Sequence, residues 1–193
     1  MRHSNSEAPG KYRIIGGQWR GRKVAIADAK GLRPTPDRVR ETLFNWLAKA
    51  VRNAACLDLF AGSGALGVEA LSRGAASVVF VEKNRRASTH LQDQLDVLGA
   101  EAEVVCADAL VYLRGPVRKF DIVFLDPPYP DKLLAPAMQA LEDYGWLGKD
   151  AFVYAEKPAR EPPPVIPPGW INWRESKAGQ VGYYLFRRQR SQD

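Results

Sequence analysis

Two cysteines, two histidines and no long apolar run are all that 193 residues supply of several common building materials, and each scarcity closes a route. Cys56 and Cys106 lie far apart, each in an apolar stretch, so two buried free thiols are expected rather than a disulfide scaffold. That usage fits a reducing compartment and a cytoplasmic protein. His3 and His90 are too few and too separated for a metal site, and His90, in a polar helical stretch, is expected on the surface. No metal is expected. Nothing approaches the roughly 18 apolar residues of a membrane span, and the polar start Met1 to Gly10 lacks the apolar centre of a signal peptide. Neither membrane nor secretion is indicated, no internal repeat is found, and no obligate protein partner is expected.

What is present is enough apolar material, 46%, for a single globular unit with its own core. The net charge of +6 is unevenly spread: residues 1–40 carry ten Lys/Arg against Glu7, Asp28 and Asp37, a net +7, and the remainder is −1. A basic segment on a nearly neutral body is what a phosphate-binding surface attached to a catalytic domain would look like, although a solvated charged face has the same count.

Residues 1–12 are polar and aperiodic and are expected to be a disordered extension, with residues 189–193 a polar tail. Tyr12 to Ile15 and Val24 to Ala27, separated by Gly16, Gly17 and Gly21, read as a hairpin studded with arginines, Trp19 near its turn. Val39, Leu43, Phe44, Trp46 and Leu47 recur at helical spacing, with Thr35 as N-cap and Pro36 as first helical residue. Hairpin and helix make one unit, 13–50, ahead of a main domain over 51–188. In that domain short apolar strands alternate with helices: Cys56 to Phe60, Ser77 to Glu82, Ala102 to Cys106, Asp121 to Asp126 and Phe152 to Glu156. This is the pattern of a parallel sheet covered on both faces, an α/β fold. Gly74, Gly99 and Gly145 stand where helices should stop. Leu91, Leu95 and Leu98 form a core stripe. Six prolines between Pro158 and Pro168 read as a stiff connection to a closing strand pair, Ile171 to Arg174 and Val181 to Phe186.

The first strand runs into Leu57-Asp58-Leu59-Phe60-Ala61-Gly62-Ser63-Gly64-Ala65-Leu66-Gly67, a glycine loop opening a helix. Glycines let backbone approach a ligand closely, and an acid about 20 residues on, here Glu82, can bond a ribose, so a nucleoside-bearing cofactor is expected. The same spacing fits a dinucleotide, so the loop alone leaves a nicotinamide oxidoreductase open. Asp126-Pro127-Pro128-Tyr129, where the fourth strand ends, separates the two. A nucleobase exocyclic amine is a poor nucleophile because its lone pair is delocalised into the ring. The Asp126 carboxylate and the Pro127 carbonyl can accept its two N–H hydrogens and aim that lone pair at a methyl donor, Pro128 stiffens the turn, and Tyr129 can stack on the extruded base. Asp108, after the third strand, can meet an adenine amino group or cap a helix. Neither cysteine has the Pro-Cys context of covalent attack on a pyrimidine.

Arg13-Ile14-Ile15-Gly16-Gly17-Gln18-Trp19-Arg20-Gly21-Arg22 and Leu32-Arg33-Pro34-Thr35-Pro36-Asp37-Arg38-Val39-Arg40-Glu41-Thr42-Leu43-Phe44-Asn45-Trp46, together with the glycine loop and the Asp126 tetrad, resemble the bacterial RsmD family from Arg13 to about Phe186. The resemblance implies a class I S-adenosylmethionine-dependent methyltransferase, a Rossmann-like seven-stranded, mostly parallel sheet with the N-terminal hairpin and helix as an addition near the RNA-binding face. It implies N2 methylation of guanine 966 of 16S rRNA in the small ribosomal subunit or its assembly intermediate. S-adenosylmethionine would then meet Asp58, Phe60, Ala61, Gly62, Ser63 and Gly64 at its methionine part, Glu82 and Lys83 at the ribose, and Asp108 and Ala109 at the adenine. Arg33 and Thr35 would close over it. Arg20, Arg22, Lys23, Arg38 and Arg40 would meet RNA phosphates. The alternatives are a DNA adenine methyltransferase using the same tetrad, a protein-glutamine methyltransferase with a related Pro-Pro-Tyr loop, and a non-catalytic RNA-binding assembly factor.

Overall fold

In a computed structural model that describes residues 10–27, 35–128 and 132–189, the alternating strands form one seven-stranded sheet. Its elements are β3 (Ala55–Asp58), β4 (Ser77–Val81), β5 (Glu103–Val105), β6 (Phe120–Leu125), β7 (Leu147–Pro158), β8 (Trp170–Ala178) and β9 (Val181–Arg188), in spatial order β5-β4-β3-β6-β7-β9-β8. All neighbours are parallel except β9, which runs antiparallel to both β7 and β8. The chain order reverses between β3 and β6, so a crevice opens beyond their carboxyl ends. The helices α1 (Asp37–Trp46), α2 (Ala65–Ser72) and α3 (Arg85–Leu98) pack with one half of the core. The helices α4 (Ala109–Tyr112) and α5 (Leu134–Asp143) go with the other half. Gly74 follows α2, Gly99 caps α3 and Gly145 follows α5, each with positive φ.

The strands start and stop where tertiary pairing, not hydropathy, decides. Strand β3 ends at Asp58 because the chain then turns into the glycine loop, leaving Leu59 and Phe60 outside it. Strand β7 begins five residues before Phe152, through Gly148, Lys149 and Asp150, because Leu147 already pairs with Phe120 across an irregularity in the register. Strand β8 runs on through Glu175, Ser176 and Lys177 as an exposed edge paired to β9.

The basic amino-terminal part forms the two-stranded sheet β1 (Lys11–Arg13) and β2 (Lys23–Ala25). Its Tyr12 and Val24 are buried, whereas Lys11, Arg13 and Lys23 are exposed. The turn is clasped to the end of α2: Gln18 N–H donates to the Ser72 carbonyl at 2.8 Å, Trp19 N–H to Ser72 Oγ at 3.0 Å, and Ser72 Oγ–H to the Gly16 carbonyl at 2.5 Å. Gly17, at φ 76°, is required there, since a Cβ would lie 1.7 Å from the Ser72 carbonyl oxygen.

Five sequence expectations are corrected. Lys11 and Tyr12, expected within a disordered extension over residues 1–12, open β1 and pair with Ala25 and Val24. Thr35 does not cap α1; Pro36 occupies the cap position and Asp37 is the first helical residue, because the Thr35 side chain is turned to a buried acid, Glu156. Cys56 is buried but Cys106 is exposed, since β5 is the edge of the sheet. His90 is half-buried, its Nε2 donating to the Ala25 carbonyl at 3.0 Å, so that face of α3 receives the hairpin rather than solvent. Arg40, expected to meet phosphate, is wholly buried.

The reason for the last lies in one carboxylate. Glu69 is the single charge in the apolar helix α2 and is fully buried. It accepts the N–H groups of Ile15 at 2.9 Å and Gly16 at 2.8 Å and pairs with Arg73 at 2.7 Å and Arg40 at 3.5 Å. Arg40 also donates to Asp37 at 2.6 Å and to the carbonyls of Arg13 and Thr35. A buried cation with four internal partners has no free donor face for RNA.

Candidate active site

The parallel strands end in acids. Asp58 closes β3, Glu82 follows β4, Asp126 follows β6, and Glu156 stands on β7 one step beyond Ala155, the register partner of Leu125. Four carboxylates thus gather at one end of the sheet. The glycine loop opens beside them.

Local bonding shapes that loop. Asp58 Oδ2 accepts Gly67 N–H at 3.0 Å, tying the end of β3 to the first turn of α2. Glu82 accepts Gly62 N–H at 2.8 Å through Oε2 and Asn84 N–H at 2.7 Å through Oε1, so the acid expected at a ribose also fixes the loop opposite. Gly67 lets α2 press on the sheet: a Cβ there would lie 2.2 Å from the Phe80 ring. Phe60, Gly62 and Ser63 are half-buried, while Ala61 and Gly64 are buried. Asp108 caps α4, its Oδ1 accepting the N–H groups of Leu110 at 2.9 Å and Val111 at 3.1 Å, and is otherwise exposed. Ala109 behind it is buried and Lys83 is exposed.

Burial sets the electrostatics. Asp58 is pushed up to about 7, first by desolvation, with the Gly67 amide opposing and the Glu82 charge adding. Asp126 is raised well above the carboxylate range by desolvation and then by the charges of Glu156 and Asp58. Glu156 is raised by desolvation against hydrogen bonds from Tyr154 and Thr35; the Tyr154 hydroxyl donates to it at 2.9 Å. Burial and the like charges of neighbouring strand ends thus make Asp58, Asp126 and Glu156 reluctant to ionise. Among the described residues, no set of three His, Cys, Asp or Glu side chains is arranged to hold a metal. The chemistry of this donor set fits a sulfonium and an ammonium group, whose positive charge favours ionised carboxylates, and ribose hydroxyls at the acid that follows β4.

Of the residues expected at the tetrad, Asp126 is half-buried, Pro127 buried and Pro128 exposed. Tyr129 lies outside the described residues, as does Arg33. Thr35 reaches the acid cluster through Glu156. Arg20, Arg22, Lys23 and Arg38 are exposed on the hairpin and α1, with Arg22 donating to the Val97 carbonyl at 3.0 Å. Sequence reasoning missed Glu69, Glu156 and Tyr12. The first two carry a signal, a lone acid inside an apolar segment. Tyr12 carries none, yet its hydroxyl donates to the Ser63 carbonyl of the glycine loop at 3.3 Å.

Comparison with known proteins agrees with this geometry. A solved Escherichia coli structure, described as a candidate methyltransferase, superposes with a TM-score of 0.88 at 48% identity, covering 93% of this chain and 99% of that one. The Thermus thermophilus 16S rRNA N2 G1207 methyltransferase, solved with AdoMet and guanosine, shares the fold at a TM-score of 0.68 and 21% identity, covering 95% of this chain and 50% of that one. The ribosomal RNA small subunit methyltransferase D of Haemophilus influenzae is 42% identical over 93% of this chain and 95% of its own length. That of Escherichia coli K12 is 48% identical over 98% of this chain and 96% of its own. With residues 12–187 also matched by the family model "Conserved hypothetical protein 95", the chain belongs to that family, the one of the small-subunit ribosomal RNA methyltransferases D.

Proposed function

We propose that this protein transfers a methyl group from S-adenosylmethionine to the N2 amine of one guanine of 16S rRNA, guanine 966, in the small ribosomal subunit or its assembly intermediate, in the cytoplasm. The observation that carries the reading is the Asp126-Pro127-Pro128 turn standing at the switch between β3 and β6, with the glycine loop on one side and a buried acid, Glu156, on the other. No helix among the described residues is long and apolar enough to cross a membrane.

S-adenosylmethionine, when bound, supplies an electrophilic methyl group on a sulfonium. The chain's own residues do the rest. Asp58 and the loop from Phe60 to Gly64 receive the methionine part, Glu82 and Lys83 the ribose, and Asp108 and Ala109 the adenine. Thr35 and Arg33 would close over the cofactor. The Asp126 carboxylate and the Pro127 carbonyl accept the two N–H hydrogens of the amine, which weakens conjugation with the ring and directs the nitrogen lone pair along the line of transfer. Tyr129 stacks on the base. A carboxyl group raised as Asp126 is makes a strong acceptor once ionised, and it can take the proton that the methylated nitrogen sheds.

The test is transfer of labelled methyl to small subunits lacking the modification, followed by nucleoside analysis. N2-methylguanosine at a single position is expected from the unaltered protein and none from Asp126→Ala. Label in another nucleoside overturns the base assignment.

A further inference from the structure

Between the hairpin and the start of α1 lies a cavity of about 310 Å³ whose charges do not balance. Lys11, Arg13 and Lys23 line it, with Tyr12, Thr35 and Asp37. Arg13 and Lys23 are direct register partners on β1 and β2, a like-charge placement that costs stability in a sheet unless an anion shares it. Among the described residues that line it the one carboxylate, Asp37, is already held by buried Arg40 at 2.6 Å, and its contact with Arg13 is a loose 3.8 Å between exposed groups. Arg40 and Arg73 are matched by Asp37 and Glu69. Among the described residues, the three cavity cations therefore outnumber the carboxylate beside them.

The walls of the cavity touch both halves of the site. Tyr12 bonds the Ser63 carbonyl in the glycine loop, and the Thr35 side chain bonds Glu156, the neighbour of Asp126. An anion here would lie one side chain away from the glycine loop and from Glu156 while facing the exposed side of the hairpin.

We propose that this cavity is a phosphate subsite for the RNA strand next to the target nucleotide, held by Lys11, Arg13 and Lys23. It rests on the reading that the substrate is ribosomal RNA. The cofactor's carboxylate is the other anion in reach, but three cations on an exposed strand face suit a polyanion arriving from solvent better than one carboxylate.

The experiment uses the full chain with Lys11→Gln, Lys23→Gln and the triple variant with Arg13→Gln, and Lys49→Gln, on the exposed turn after α1, as control. Binding to unmodified small subunits is measured by filter retention across a salt series, methyl transfer on the same subunits gives KM and kcat, and calorimetry gives affinity for S-adenosylmethionine. For the triple variant, the slope of log K against log salt should become shallower by about 0.7 to 0.9 per phosphate released. KM for subunits should rise about tenfold or more, with kcat and cofactor affinity changed less than about twofold. Lys49→Gln should match the unaltered protein. An unchanged slope in the triple variant overturns the subsite. A fall in cofactor affinity with the slope intact assigns the cavity to the cofactor's carboxylate and overturns it equally. If the unaltered protein neither binds nor methylates the subunits, it is the RNA reading that fails, and the subsite falls with it.

Discussion

Replacing Asp58 by Asn should stabilise the fold at neutral pH while weakening cofactor binding. Asp58 is almost wholly buried and its carboxyl is pushed from 3.8 up to about 7, mainly by desolvation. A carboxyl raised on folding binds more protons in the native state than in the unfolded one. Stability therefore falls as pH rises from about 4 to about 7 and stays low above. Three units at about 1.4 kcal/mol each give a ceiling of ~4 kcal/mol. The Asp58 charge also bears on Asp126 and the Glu82 charge on Asp58, so the share that one substitution recovers is ~1–3 kcal/mol. Asn keeps an oxygen for the Gly67 N–H, which preserves the bond between β3 and α2. Urea unfolding of both proteins from pH 4 to pH 8 measures it: the gap should be small at pH 4 and widen in favour of the variant through pH 7. Calorimetry should show weaker binding of S-adenosylmethionine by the variant. A variant less stable than the parent at pH 8, or a gap that does not change with pH, would refute the claim that burial holds this carboxyl protonated.

Three further outcomes follow from the same geometry. Arg40→Met should cost ~1–3 kcal/mol in chemical unfolding, because it leaves the Arg13 and Thr35 carbonyls without their donor and takes one of two cations from Glu69, yet leave the salt slope of subunit binding unchanged when assayed well below the melting temperature. A shallower slope would return Arg40 to the RNA surface. Gly67→Ala should lose ~1–3 kcal/mol, since its Cβ would meet the Phe80 ring at 2.2 Å. Its cofactor affinity should drop as the loop shifts, and calorimetry unaffected by the change would place the loop elsewhere. The ratio kcat/KM for the cofactor should rise with pH to a limb well above the ordinary carboxylate range, because the raised acids must ionise to receive a cation. A profile flat from pH 5 to 8 would refute that ionisation step.

The order of strands and helices was legible because a doubly covered parallel sheet writes itself as apolar runs between amphipathic helices. The ends were not legible where pairing partners, rather than side chains, carry the strand, as in Gly148 to Asp150 of β7 and the exposed half of β8. The gathering of Asp58, Glu82 and Asp126 at one sheet end followed from their places after strands, a rule of topology. Arg40 was misread by counting charge without phase. It stands three and four residues before Leu43 and Phe44, on the buried stripe of α1, and periodicity alone would have turned it inward. Glu69 and Glu156 were readable in the same way, as acids where the pattern demands an apolar residue. The Tyr12 contact was not, since it joins residues 51 apart through one hydroxyl.

These polar contacts decide how the basic hairpin relates to the catalytic end. Helix α2 carries the glycine loop at its amino terminus, while Glu69 and Ser72, in its second half, hold the hairpin by five backbone groups: the N–H of Ile15, Gly16, Gln18 and Trp19, and the Gly16 carbonyl. Eight residues of helix span only about 12 Å. One short rigid element therefore sets the distance between the surface that would receive RNA and the loop that would receive the cofactor. Ion pairs on the surface could not do this, because each is worth little and yields to salt. A carboxylate with every lone pair engaged, sealed in an apolar helix, holds its geometry when the charged face outside it changes partners. The acid that breaks the hydropathy of α2 thus fixes the hairpin against the glycine loop, which explains why a costly buried charge stands there.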